Sequence, residues 1–147
     1  MNLLDANVLL YAYDEASVHH AACRNWLERA FNGEEPIGLP WQTLLAFIRI
    51  STNPRAVRSP LPTSQACALV DQWLARPQGM IVAPGERFWS ILKNISASAQ
   101  VTGPLVTDAA LAALAIEQGA VLCSTDRDFR RFDGLNLLDP SEANQST

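Results

Sequence analysis

The sequence predicts an α/β fold with a parallel sheet, because short apolar runs alternate with amphipathic stretches along the chain. Its size and composition point to one domain with one core, since 48% of the 147 residues are apolar and 18% are charged. No internal repeat or low-complexity tract interrupts the pattern. We therefore predict a single domain over residues 1–140, followed by a polar, frayed tail over residues 141–147.

The strands are predicted from short apolar runs that turn residues or charged residues bound. Six runs meet this description: residues 1–4, 37–39, 80–83, 105–107, 120–124 and 136–138.

The helices are predicted from apolar residues that recur at intervals of three and four, together with end signals. Ser17 is a suitable N-cap for a helix over residues 18–32 that Gly33 closes, and Thr63 for one over residues 64–75. A further apolar run covers residues 6–13 and is broken only by Asn7. The remaining predicted helices are residues 41–50, 86–100 and 108–118.

The composition argues against a membrane protein and against a disulfide-stabilised or zinc-bound one. The longest apolar stretches, such as residues 109–116, are far shorter than a membrane span, and the N-terminus has no basic export signal. Cys23, Cys67 and Cys123 are far apart, odd in number and without CxxC spacing. We therefore expect a cytoplasmic protein with reduced thiols and no membrane partner.

Common catalytic motifs are also missing from the sequence. The two histidines, His19 and His20, are adjacent and cannot face the same way on a helix. The seven glycines never form the spacing of a phosphate-binding loop. A nucleophilic triad and a nucleotide-cofactor enzyme are therefore disfavoured.

Carboxylates follow three of the predicted strands. Asp5 ends the first strand, Asp108 follows residues 105–107, and Asp126 and Asp128 follow residues 120–124. The carboxyl ends of parallel strands lie on one edge of a sheet, where sites form. We therefore expect the four acids to converge, although each one alone could instead be a helix-capping or turn residue.

Converging carboxylates repel one another unless a cation lies between them. Oxygen ligands without histidine suit Mg²⁺ or Mn²⁺, so Asp5, Asp108 and Asp126 are the predicted metal ligands, with Asp128 as a fourth catalytic acid. This arrangement permits metal-assisted hydrolysis of a phosphodiester, in which a carboxylate helps to deprotonate water. Short polar side chains beside the acids are predicted to hydrogen-bond them: Asn7, Thr107, Ser124 and Thr125.

Three segments together resemble a PIN domain: DANVL at residues 5–9, LVTDAALAALA at residues 105–115 and CSTDRDF at residues 123–129. The chain is more closely similar to VapC-type toxins of bacterial toxin–antitoxin pairs, and FIRISTNP at residues 47–54 looks like a largely mycobacterial subgroup of them.

This resemblance implies a PIN-like three-layer α/β/α fold with a central parallel sheet, and Mg²⁺- or Mn²⁺-dependent endoribonuclease activity. It also implies a homodimer that a VapB-type antitoxin encoded beside the toxin inhibits. Transfer RNA is a candidate substrate. By position, the acids of the family site correspond to Asp5, Asp108, Asp126 and Asp128.

The chain departs from the family pattern at one acidic position. Such domains usually carry a Glu in the helix after the second strand, but here residues 41–50 hold no acid. Gln42 is the nearest polar residue, and Phe47 stands at about the expected position. Four aspartates can suffice for a cation that keeps several waters, which is the interpretation we favour. The alternatives are weaker metal binding or a catalytically degenerate RNA-binding module.

A third candidate function is hydrolysis of small phosphate esters through an aspartyl-phosphate. Such enzymes need a second Asp two residues after the nucleophile, and Asn7 occupies that position after Asp5.

Basic residues and aromatic residues indicate the expected partners. Residues 36–70 lack any acid and carry Arg49, Arg55 and Arg58, which are candidate contacts to RNA phosphates. Tryptophan on an apolar helix face is most often core. A groove for an amphipathic antitoxin helix is nevertheless expected from residues of the first predicted helices: Trp26, Phe31, Trp41 and Leu45.

Overall fold

A computed structural model describes residues 1–142, which contain five strands and six α-helices. The predicted tail lies outside the described residues from position 143 onward. Its first two residues, Ser141 and Glu142, belong to a turn in which Asp139 Oδ1 accepts a hydrogen bond from Ser141 N at 2.9 Å.

The elements alternate along the chain as the apolar pattern predicts. In order they are β1 (Asn2–Leu4), α1 (Ala6–Tyr13), α2 (His20–Asn32), β2 (Ile37–Pro40), α3 (Trp41–Ser51), α4 (Thr63–Ala75), β3 (Gly79–Val82), α5 (Phe88–Ser98), α6 (Leu105–Gln118), β4 (Val121–Cys123), a 3₁₀ turn (Arg127–Arg131) and β5 (Asn136–Leu138).

The strands form one sheet in the order β3-β2-β1-β4-β5, and every pairing is parallel. The central strand β1 pairs Leu3 with Gly38 on one side and with Leu122 on the other. A Cβ atom at position 38 would come within 2.7 Å of the Leu3 side chain, so glycine permits this close packing. All carboxyl ends therefore lie along one edge.

Two helical layers cover the sheet, which confirms the three-layer α/β/α architecture. Successive side chains of a strand point to opposite faces, so Leu4 packs with α1, α2, α3 and α4, whereas Leu3 packs with α5 and α6. Both leucines are fully buried. Truncating either one to Ala would destabilise the fold by about 2–5 kcal/mol.

The strand predicted over residues 105–107 is wrong, because α6 already begins at Leu105. Three apolar residues are too few for periodicity to separate a strand from the first turn of a helix. The preceding Pro104 and the alanine-rich run that follows both favour the helix. Asp108 consequently lies in the first turn of α6 and does not follow a strand.

Both predicted serine and threonine caps are also wrong. The second helix begins at His20, and Ser17 Oγ accepts a hydrogen bond from His19 N at 3.1 Å in the turn before it. Thr63 is the first residue of α4, which follows Pro62. Ser and Thr stabilise turns and helix ends by the same local hydrogen bonds, so the sequence did not separate the two uses. Gly33 does close α2.

None of the helices within residues 1–142 has the length and hydrophobicity needed to cross a membrane. The three cysteines are free thiols, as predicted, with Cys23 and Cys123 buried and Cys67 exposed. Burial raises the pKa of the Cys123 thiol to about 12.

Candidate metal centre

Asp5 stands where β1 ends and α1 begins. Its backbone N–H donates to Cys123 O at 3.0 Å, which extends the pairing of β1 with β4 by one residue. Its carboxylate Oδ1 accepts the backbone N–H of Ala6 at 2.7 Å and so caps α1. On the other side, Thr43 Oγ1 donates to Leu4 O at 2.7 Å. These bonds hold Asp5 at the carboxyl edge of the sheet.

Ser124 links Asp5 to the loop that carries Asp126. The residue is 1% exposed, and its hydroxyl donates to Asp5 Oδ2 at 2.8 Å. The Ser124 hydroxyl oxygen itself accepts hydrogen bonds from Asn7 Nδ2 at 3.1 Å and from Asp126 N at 3.0 Å. Asn7 Oδ1 also accepts the backbone N–H of Thr125 at 3.3 Å. Strand β1, α1 and the loop after β4 therefore share one hydrogen-bonded network.

The third acidic segment is the 3₁₀ turn after β4. Asp126 Oδ1 accepts the backbone N–H of Asp128 at 2.9 Å and starts this turn, while Asp128 itself is exposed. The Arg131 guanidinium donates to Asp128 O at 3.1 Å and lies 3.7 Å from the Asp128 carboxylate. The turn thus presents two carboxylates with one arginine beside them.

Two of these acids have raised pKa values to which neighbouring carboxylates contribute. The pKa of Asp5 is raised, mainly by burial and further by the charges of Asp108 and Asp126, although its hydrogen bonds from Ser124 and Ala6 oppose the shift. The pKa of Asp108 is also raised, first by burial and then by Asp126 and Asp128, while Arg131 lowers it. The four acids are therefore near enough for some of their charges to interact, and their assignment to one site stays a prediction.

The acids are not already arranged as a closed ligand set. Within residues 1–142, no group of three Asp, Glu, His or Cys side chains stands ready to hold a metal ion. The donors at this edge are oxygens, and each carboxylate oxygen keeps lone pairs beyond its present hydrogen bonds. An open set of oxygen donors suits a hard divalent cation that retains several waters.

Gln42 is a site neighbour whose contact the sequence pattern did not predict. It lies in the first turn of α3, and its Nε2 donates to Thr107 O at 3.3 Å, so it joins the start of α3 to the start of α6. The Thr107 hydroxyl donates to Pro104 O at 3.1 Å, within its own turn. Phe47, at the expected position of a family Glu, is fully buried in the core.

The three candidate RNA-binding arginines are exposed. Arg49 is in the last turn of α3, and Arg55 and Arg58 are in the loop that follows. Because α3 begins at the carboxyl edge, Arg49, eight residues after Trp41, lies about 12 Å along its axis from that edge. Arg49 is therefore expected to contact RNA some distance from the carboxylates.

The groove expected from four apolar residues does not form as one open surface. Trp26 and Phe31 are 8% and 6% exposed and belong to the core on the α1–α4 face. Trp41 and Leu45 are 55% and 60% exposed and occupy one side of α3. Spacing alone could not separate the two pairs, because amphipathic helices present apolar residues to the core and, at binding surfaces, to partners.

A family model for the PIN domain matches residues 3–135. The chain belongs to the PIN-domain family. Two curated relatives refine this assignment. The chain is 41% identical to ribonuclease VapC37 of Mycobacterium tuberculosis over 140 residues, which cover 95% of this chain and 97% of the relative. It is 40% identical to VapC ribonuclease Mb2897 of Mycobacterium bovis, with 95% of each chain covered. Within the PIN-domain family, the chain therefore belongs with the VapC ribonucleases.

Solved structures agree on the fold at much lower sequence identity. The VapBC-1 structure from nontypeable Haemophilus influenzae matches with a TM-score of 0.69 at 16% identity, over 95% of this chain and 98% of that one. VapBC2 from Rickettsia felis, bound to a DNA fragment from its promoter, matches with a TM-score of 0.66 at 17% identity, over 93% and 96%. At these identities, both likenesses concern the course of the backbone alone.

Proposed function

We propose that this VapC-family protein is a Mg²⁺- or Mn²⁺-dependent endoribonuclease toxin that a VapB-type antitoxin inhibits. The observation that carries the proposal is the electrostatic coupling of Asp5, Asp108 and Asp126 at one sheet edge. Burial and the charges of neighbouring carboxylates raise the pKa values of Asp5 and Asp108, and a divalent cation bound beside them would relieve both effects. Family membership supports ribonuclease chemistry at that edge.

In this proposal Asp5, Asp108 and Asp126 hold the cation. When bound, the cation supplies positive charge to a phosphate oxygen and to the attacking water. Ser124 keeps Asp5 Oδ2 in a fixed orientation through its 2.8 Å bond. Asp128 is exposed beside Asp126, where it can accept a proton from water as a general base.

The proposed partners follow from exposed charge and exposed apolar surface. Arg49, Arg55 and Arg58 are proposed to contact phosphates of an RNA that extends beyond the cleavage point, with transfer RNA as a candidate. Trp41 and Leu45, four residues apart on one side of α3, offer an apolar strip to an antitoxin helix. Homodimerisation and a cytoplasmic location remain parts of the same proposal.

The test compares RNA cleavage by the wild-type chain, Asp5→Ala and Asp108→Ala, with Asp133→Ala as the control. Asp133 is an exposed acid outside the network. We expect cleavage in Mg²⁺ to fall by about 100-fold or more in both site variants, because metal-derived stabilisation is worth several kcal/mol. Circular dichroism should show the fold intact, and the product of a neighbouring antitoxin gene should suppress wild-type cleavage. Normal cleavage by either site variant would contradict the assignment.

A degenerate RNA-binding module is the second candidate, because α3 contributes no acid to the site. That candidate predicts equal RNA binding in EDTA and in Mg²⁺, with no cleavage even in Mn²⁺. The proposed nuclease predicts cleavage that EDTA abolishes and that Mg²⁺ or Mn²⁺ restores.

A further inference from the structure

A polar cleft with a volume of about 790 Å³ adjoins the loop that carries Asp126. Three separate parts of the chain line it: the turn before α2, the loop after β4 and the turn after β5. The volume falls within the usual range of small-molecule sites. The lining residues that matter here are Val18, His19, Thr125, Arg127, Asp139 and Glu142.

The cleft begins directly beside the proposed metal centre. Thr125 and Arg127 flank Asp126 in sequence, so their Cα atoms lie about 3.8 Å from that of Asp126. The Thr125 backbone is held in place by Asn7 Oδ1 at 3.3 Å. A chain of nucleotides with one phosphate at the carboxylates therefore has its next nucleoside within reach of this cleft.

One wall of the cleft suits the face of a nucleobase. The His19 imidazole packs against the Tyr11 ring, with centroids 5.2 Å apart, which braces it on one side. The neighbouring Val18 is 92% exposed. Unpaired RNA bases stack on aromatic side chains, including histidine, and tolerate adjacent apolar surface.

The remaining walls suit the polar edge of a base and a phosphate. Asp139 Oδ1 is oriented by Ser141, which donates its N–H at 2.9 Å and its hydroxyl at 2.6 Å. A carboxylate held in this way can accept a hydrogen bond from the exocyclic amino group of a base. The Arg127 guanidinium is 3.6 Å from Glu142, and both side chains are largely exposed. Such a pair is weak enough for a phosphate to replace the carboxylate.

We infer that this cleft binds the nucleoside next to the cleaved phosphate and favours a base with an exocyclic amino group. The inference rests on the proposed ribonuclease function, because it extends the same site. In this inference the base stacks on the His19 ring, its exocyclic amino group donates a hydrogen bond to Asp139, and Arg127 contacts a phosphate.

The first experiment measures binding without cleavage. AMP, CMP, GMP and UMP are titrated separately into the full chain in EDTA, and amide NMR shifts of Thr125 and Arg127 are followed. We expect saturable shifts, with UMP binding most weakly because uracil lacks the amino group. His19→Ala should weaken binding about 5- to 100-fold, the size of base–aromatic stacking. His20→Ala is the matched control, since His20 Nδ1 pairs with Tyr11 O at 2.9 Å outside the cleft lining, and should bind within twofold of wild type.

The second experiment tests the carboxylate. Asp139→Asn keeps an oxygen for Ser141 but presents an amide donor to the base, so we expect the preference to shift toward UMP, with Asp133→Asn unchanged. Absence of saturable shifts in the wild type, equal binding by both histidine variants, or an unaltered preference in Asp139→Asn would overturn the inference.

The two proposals fail separately. If the nucleotides bind as expected but no RNA is cleaved in Mg²⁺ or Mn²⁺, the nuclease proposal fails and the nucleoside site remains. If cleavage depends on Asp5 and Asp108 but the nucleotides leave Thr125 and Arg127 unshifted, the nucleoside site is wrong and the nuclease remains.

Discussion

The strand-borne acids and the helix-borne acid of the candidate centre are held in different ways. Asp5 and Asp126 share the buried Ser124 hydroxyl and the pairing of β1 with β4. Asp108 sits in the first turn of α6, and an exposed 3.3 Å bond from Gln42 to Thr107 O ties that turn to α3. The sheet half of the site is therefore preorganised, whereas the helix half depends more on the cation to fix its position.

Among variants that keep every acid in place, the largest effect should come from breaking the sheet half. Ser124→Ala removes the bond to Asp5 Oδ2 and leaves Asn7 Nδ2 without its acceptor. We expect kcat/KM for RNA cleavage to fall about 10- to 100-fold, together with weaker Mg²⁺ binding. The control is Thr107→Ala in the helix half, whose hydroxyl bonds only within its own turn to Pro104 O among the described contacts. Equal losses in the two variants would remove the distinction between the halves.

A second prediction concerns the arginines at the C-terminal end of α3 and in the loop after it, in contrast to the N-terminal end of α3 beside the acids. Replacing Arg49, Arg55 and Arg58 together by Gln should weaken binding of long RNA about tenfold. The slope of the logarithm of the binding constant against the logarithm of salt concentration should become shallower by about 2. Because Arg49 lies about 12 Å along α3 from the carboxyl edge and Arg55 and Arg58 follow in the next loop, cleavage of a very short RNA should stay unchanged. Affinities over a range of salt concentrations provide the measurement, with Arg24→Gln on α2 as the control. An unchanged salt slope would exclude them as phosphate contacts.

A smaller effect is expected from the helix half. Gln42→Ala removes one exposed hydrogen bond, so kcat/KM should fall only about two- to fivefold. High Mg²⁺ should recover most of the loss, because the cation itself then holds Asp108. Gln65→Ala, on the exposed side of α4, is the matched control. A loss as large as that of Ser124→Ala would mean that both halves are equally preorganised.

The smallest effect concerns pH and stability. The raised pKa values of Asp5 and Asp108 mean that the folded, metal-free protein binds protons more readily than the unfolded chain. Its free energy of unfolding should therefore fall as pH rises from about 4 through those raised values, with less than about 1 kcal/mol from the partly exposed Asp108.

Thermal unfolding in EDTA across that pH range provides the check. Asp108→Asn should flatten the pH dependence of the free energy of unfolding, and Asp133→Asn should not. In a separate measurement without EDTA, Mg²⁺ at 100 times its Kd should raise the free energy of unfolding by about 2.7 kcal/mol at neutral pH. Stability that rises with pH in the metal-free protein would contradict the direction of both shifts.

Much of the fold was readable from the sequence. The strands at β1, β2, β3, β4 and β5 each coincide with a predicted apolar run to within one or two residues, because buried parallel strands are nearly continuous in apolar residues. The false strand at residues 105–107 arose because the start of a buried helix has the same local composition. Asp108 was nevertheless assigned to the right edge, since helices that precede a parallel strand begin there.

The sequence by itself determined which residue types are present and in what order: four aspartates at element ends, short hydroxyl and amide side chains beside them, and an acid-free segment with three arginines. Only the tertiary structure decided which of these groups meet. Ser124 reaches Asp5 across 119 positions, and Gln42 reaches Thr107 across 65. Such contacts depend on strand order and on where α3 begins, which local periodicity does not encode.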